Sequence, residues 1–123
     1  MKSRWLYWLP AVGYAAVIFA VSSIPARSMP EGRFWDFDKL IHAGEYAVLA
    51  ALLWWALART TKLGRWSRAS VAALLAGLYG ISDELHQSLV PGRAASVYDA
   101  IADFAGAVTA ALLLAILARG RRG

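Results

Sequence analysis

The 21 residues from Trp5 to Pro25 carry no formal charge. An α-helix rises about 1.5 Å per residue, so a stretch of this length reaches across a hydrocarbon core of roughly 30 Å. A soluble domain of only 123 residues has too little interior to hide such a segment. A spanning helix is therefore expected. The rival reading is a cleaved secretory signal, since Lys2 and Arg4 precede the run. Against it, the run is longer than the usual apolar region of about 7 to 15 residues, and no clear small-x-small cleavage site follows.

Three further spans are predicted at Leu40 to Ala58, Ala69 to Leu89 and Tyr98 to Ala118. Each has a charge-free part, namely Tyr46 to Ala58, Ala69 to Ser82 and Phe104 to Ala118. None of these parts is long enough to cross alone, so every crossing must include a polar end held within the bundle. The expected fold is all-α, an integral membrane four-helix bundle forming a single domain over residues 1–123, with spans at about 5–25, 40–58, 69–89 and 98–118. Small residues four apart, at Ala73 and Gly77, Ala76 and Gly80, and Gly106 and Ala110, let helix backbones approach closely. The chain is 59% apolar and has no cysteine, which excludes disulfide scaffolds, thiol enzymes and thiolate metal sites. Its basic residues are scattered among apolar runs, so a nucleic-acid partner is not expected.

Topology follows from the basic residues. Lys2 and Arg4, the connector with Arg59, Lys62, Arg65 and Arg68, and the tail with Arg119, Arg121 and Arg122 place nine on one side. The other side has Arg27, Arg33, Lys39 and Arg93. The positive-inside rule then puts both termini in the cytoplasm. All 8 acids (Glu31, Asp36, Asp38, Glu45, Asp83, Glu84, Asp99 and Asp103) fall in the outer loops or outer helix ends. Activity is therefore expected on the outer face of the cytoplasmic (inner) membrane.

Helical spacing groups these acids with other polar residues. Asp38, His42, Glu45 and Tyr46 share one face of the second helix, with Lys39 at its edge. Tyr79, Asp83, His86 and Gln87 share a face of the third, with Glu84 about 100° round. Asp99, Asp103 and Gly106 line the fourth. Glu45, Asp83 and Asp103 each lie roughly 8 to 10 Å inward from the outer helix ends, so the three helices can converge in an outward-opening cup. Charged groups at such depth cost about 2.5 to 3.5 kcal/mol each on insertion scales, which makes function the default reading. The bland alternative is an ion-paired plug, with Lys39, Arg93 and Arg27 neutralising acids. The number of acids exceeds what one or two polar locks need. Glu31 and Asp36 read as solvated loop acids, and Trp5, Trp8, Trp35 and Trp66 as interface anchors.

Taken together, Ser22-Ser23-x-Pro25, Asp38-Lys39-x-x-His42-x-x-x-Tyr46, Asp83-Glu84-x-x-Gln87 with Pro91-Gly92-Arg93, and Asp99-x-x-x-Asp103-x-x-Gly106 resemble the VanZ-like family of small bacterial membrane proteins. That family is named for an accessory factor in glycopeptide (teicoplanin) resistance. The resemblance spans nearly the whole chain and implies four spans and a link to the cell envelope. Asp103 departs from the Asn expected in much of the family, which adds a titratable group.

Three function classes follow. The first is a site that binds or modifies an amphiphilic envelope molecule, such as a lipid-linked precursor whose tail lies between helices. In it His42 is the candidate acid or base, oriented by Asp38 or Glu45, while Glu84 and Asp99 form a carboxylate pair and Asp83 is a further acid/base candidate. Lys39 and Arg93 hold phosphate or carboxylate, and Asp38, Glu45, Tyr46, Gln87 and Asp103 complete the binding surface. The second is a non-enzymatic binder of a glycopeptide target or an envelope assembly partner, and the third a small proton or lipid transporter. Ser22, Ser23, Ser82 and Ser88 lie at a depth suited to nucleophiles, but no Ser-His-Asp order accompanies them. No cofactor is assigned: His42-x-x-Glu45 is half a metal motif and no His-Glu-x-x-His occurs. A divalent metal remains an alternative to that assignment. Beyond the lipid bilayer, partners and oligomeric state are left open.

Overall fold

The computed structural model describes residues 3–24, 38–92 and 96–118, except for the side chain of Asp38. A short 3-10 helix, Arg4–Trp8, leads directly into α1, Leu9–Ser22. Pro10 lies in the first turn of α1, where a missing N–H leaves no hydrogen bond unmade and a fixed φ favours the helix. The remaining helices are α2 (Asp38–Thr60), α3 (Arg65–Gln87) and α4 (Val97–Leu117). No strand occurs among the described residues.

Cross-helix contacts fix the directions. The Arg4 guanidinium donates to the Thr60 carbonyl at 2.6 Å, so α1 begins where α2 ends. At the same end Arg65, opening α3, donates to the Ala115 carbonyl near the close of α4 at 3.3 Å. At the opposite end Ser23 meets His86 at 2.7 Å and His42 meets Asp103 at 2.9 Å. The bundle therefore runs up, down, up, down, with one end basic and the other carrying the His and acid residues.

The 3-10 helix with α1, α2, and α4 are each long and apolar enough to cross a membrane. Composition alone does not qualify α3, because Arg65, Arg68, Asp83 and Glu84 all fall within it. Geometry does what composition does not. α3 links the far end of α2 to the near end of α4, and its 23 residues extend about 34 Å. A bilayer crossed by α2 and α4 is crossed by α3 as well. The polar stripe of α3 points inward, where Arg68, Asp83, Glu84 and Gln87 are buried.

The core is built mostly from small side chains. Ala50, Ala56, Ala72, Ala76, Ala107 and Ala115 are wholly buried, which brings the helix axes close enough for backbone-to-backbone packing. At Gly106 a Cβ would overlap the backbone of Ala43 on α2, and at Gly77 it would overlap the Phe104 ring of α4. Leu74, Leu78 and Leu85 on α3 and Ile101, Leu113 and Ile116 on α4 face outward. In water such a surface would be a large liability; against lipid it is the required exterior.

The basic end is closed by side chains that cap the loop between α2 and α3. Thr60 and Thr61 donate to the carbonyls one turn back, at Ala56 and Leu57. Buried Arg68 donates to the Leu63 carbonyl at 2.7 Å and lies 4.9 Å above the Trp54 ring.

Candidate functional site

The close α2/α4 crossing at Ala43 and Gly106 decides what lies beside it. Asp103 is one turn before Gly106 and His42 is adjacent to Ala43, so the two side chains meet in the cleft between the helices. His42 Nδ1 and Asp103 Oδ1 are 2.9 Å apart, and Asp103 has no exposed surface. Gly80 on α3 makes room for that carboxylate, since a Cβ there would lie 2.8 Å from the Asp103 Cβ. The spacing argument offered Asp38 or Glu45, on the same helix as His42, as its orienting acid; the structure adds Asp103, from across the bundle.

α3 contributes Asp83, Glu84 and Gln87, all buried. Glu84 Oε1 accepts the Ser96 N–H at 2.9 Å. Ser96 in turn caps α4, its hydroxyl accepting the N–H groups of Tyr98 and Asp99. Glu84 is thereby tied to the start of the neighbouring helix. Asp83 Oδ1 has no hydrogen-bond partner among the described residues. Asp99, buried on α4, forms an ion pair with exposed Lys39 at 2.7 Å.

His42, Asp83, Glu84, Gln87, Asp99, Asp103 and Tyr46 thus gather at one end, with Lys39 at the rim and Glu45 half-buried on α2. Arg93, the side chain of Asp38, and the loop residues Pro25, Arg27, Pro30, Glu31, Arg33, Trp35 and Asp36 lie outside the described residues. So do Lys2, Arg119, Arg121 and Arg122. Glu84 and Asp99 are held by separate partners, Ser96 and Lys39. His86, placed by spacing on the face of Asp83, turns to α1, where it stacks on Phe19 at 4.4 Å and bonds Ser23. Ser82 and Ser88 are exposed and donate to carbonyls of their own helix turn.

Sequence reasoning missed the part played by Ser96. Its signal was available, as a Ser followed three residues later by the acid Asp99 marks a helix start. The Tyr79 hydroxyl, which donates to the Ala15 carbonyl at 2.6 Å, joins α3 to α1; nothing in the spacing of either helix foretells it.

The cluster is enclosed, and of its members Glu84 borders a surface recess. A groove of about 490 Å³ between α3 and α4 is lined by Ile81, Val97, Ile101, Phe104 and Val108. An adjoining recess of about 250 Å³ shares Ile81, Val97 and Ala100 with it and reaches Glu84 and Ser96. An apolar groove on the lipid-facing side thus adjoins a recess bordered by buried Glu84. Separately, His42, Glu84 and Asp103 each offer a donor atom within 4.8 Å of the others'.

An all-α bundle with an apolar exterior and buried acids gathered at one end is a small multi-pass membrane protein. More particularly, the VanZ/LLP1 family model matches residues 4–118, nearly the whole chain, and the protein belongs to that VanZ-like family. No curated protein and no solved structure matches it.

Proposed function

We propose that this protein resides in the cytoplasmic membrane with its polar end outward and acts there on an amphiphilic cell-envelope molecule. A lipid-linked wall precursor is the kind of substrate meant, in keeping with the teicoplanin link in the family's name. The observation that carries the reading is the continuity between the apolar groove of α3 and α4 and the recess at Glu84 and Ser96. An acyl or prenyl chain lies in the groove, and its head group reaches the buried polar cluster. Lys39, together with Arg93, supplies cationic contacts for a phosphate or carboxylate. His42 and the carboxylates of Asp83, Glu84, Asp99 and Asp103 are the groups available for proton transfer or for polarising the head group. Glu45, Tyr46 and Gln87 shape the pocket, and Asp38 is a further binding candidate by its place in the sequence.

The outward orientation rests on the bias of Lys and Arg toward the other end of the bundle. A transporter is less well supported, because the basic half of the core is packed with buried alanines at Ala56, Ala72 and Ala115, and the buried Arg68 there is engaged by the Leu63 carbonyl and the Trp54 ring.

The test compares, by mass spectrometry, the lipids and lipid-linked precursors of cells expressing wild type, Glu84→Gln or Asp99→Asn at matched membrane levels. A species made or depleted only by wild type is expected. Identical profiles would defeat the modifying role. If a resistance phenotype were lost at the same time, the site would instead be one of binding or assembly.

A further inference from the structure

We propose that His42, Glu84 and Asp103 bind one divalent cation of hard or borderline character, Mn²⁺ or Zn²⁺, between α2, α3 and α4. The inference deepens the preceding one and rests on reading this cluster as a working site. It assigns the site a cofactor, which the sequence did not.

Three observations support it. The first is spacing. The three donor atoms lie within 4.8 Å of one another, and His42 Nδ1 is 2.9 Å from Asp103 Oδ1. Ligands bound at about 2.1 Å around an octahedral ion are roughly 3 Å apart along an edge and 4.2 Å apart across it. Small side-chain adjustments close the set; no helix has to move.

The second observation is unmet bonding capacity. Glu84 Oε1 is satisfied by Ser96, but among the described residues Glu84 Oε2 has no hydrogen-bond partner, and neither does Asp103 Oδ2. Glu84 is 6% exposed and Asp103 is 0% exposed. Asp103 Oδ2 faces Gly80, one helical turn from Glu84 on the same helix. Buried carboxylate oxygens without partners are costly, and a cation among them removes the cost. The neighbouring Asp83 Oδ1, also without a hydrogen-bond partner among the described residues, lies outside the donor set.

The third is donor chemistry. One imidazole and two carboxylates favour a borderline or hard divalent ion, and the two negative charges match its charge. Three protein ligands leave positions open for a phosphate or carboxylate oxygen. The donors are 42 and 19 residues apart in the chain, so no linear motif announces them; α2, α3 and α4 assemble them. In this arrangement His42 serves as a ligand.

The experiment uses the full chain in detergent, stripped with chelator, dialysed separately against Zn²⁺ and Mn²⁺, and analysed by inductively coupled plasma mass spectrometry. One ion per chain is expected for wild type. Asp103→Asn and Glu84→Gln should lower affinity at least about tenfold, while His86→Gln, which removes the other histidine, should keep the ion. X-ray absorption on loaded wild type gives a readout free of any folding defect in a variant: one imidazole nitrogen among oxygen donors is expected. A shell of oxygen alone, wild type without a stoichiometric ion, or an ion held equally by Asp103→Asn and Glu84→Gln would each overturn the assignment. None of these measurements needs an envelope molecule. Unchanged lipid profiles beside a loaded site would defeat the envelope reading alone, and altered profiles with an ion-free protein would defeat this one alone.

Discussion

Replacing Gly106 by alanine tests the crossing on which the site depends. The new methyl group would overlap the Ala43 carbonyl and sit 2.8 Å from the Ala43 Cα. Carbon atoms settle at about 3.5 to 4.0 Å, so α2 and α4 must part by at least about 0.7 Å, because the obstacle is backbone and has no rotamer to change. The His42–Asp103 contact, 2.9 Å in the native bundle, would then stretch to about 3.6 Å, beyond hydrogen-bond range. Overpacking of this kind costs about 1 to 3 kcal/mol. Gly44→Ala is the control, since nothing lies within 4 Å of a Cβ at that position, and the same change there gains up to about 1 kcal/mol of helix propensity. The assay is the midpoint of SDS-induced unfolding in mixed micelles, followed by helix circular dichroism. Gly106→Ala should unfold well before wild type, and Gly44→Ala at or after it. Equal midpoints for the two variants would refute the close backbone contact and, with it, the way His42 is brought to Asp103.

Other outcomes can be read in the same or simpler assays. Arg68→Ala removes both the bond to Leu63 and the cation over Trp54, and should cost about 2 to 3 kcal/mol of unfolding free energy. Arg68→Lys should recover only part of it, because an ammonium lacks the planar stacking surface; full recovery would argue against the Trp54 contact. Ser96→Ala deletes the cap of α4 and should cost about 1 kcal/mol, while leaving the Ser96 backbone N–H to hold Glu84. No change in the unfolding midpoint would mean that the cap is not made in the membrane. Orientation is tested with single cysteines in this cysteine-free chain: an impermeant thiol reagent added to intact cells should label Ala94→Cys and spare Ser67→Cys. The reverse labelling would invert the bundle and remove the outward site.

Much of the architecture is legible in the residues because a membrane simplifies the problem. Every backbone polar group in lipid must be satisfied within its own segment, so a long charge-free run such as Trp5 to Ser22 has essentially one conformation open to it. The grouping of His42 with Tyr46, and of Asp99 with Asp103, follows from the helical repeat alone. α3 is harder to read. Its charges blur the apolar signal, and its crossing becomes evident only from its place between α2 and α4.

The division between what the chain determined alone and what folding decided follows the range of the forces involved. Hydropathy and helical periodicity act within a segment, and they specified the helices, their apolar exteriors and the end at which the acids gather. Partner choice acts between segments. That His42 faces Asp103, that Lys39 takes Asp99, that Glu84 is held by Ser96 and that His86 turns away to Ser23 depends on how α2, α3 and α4 rotate and how closely they approach. Glycine and alanine contacts such as Gly106 on Ala43 set those rotations and distances, through steric fits of under an ångström that no spacing rule contains.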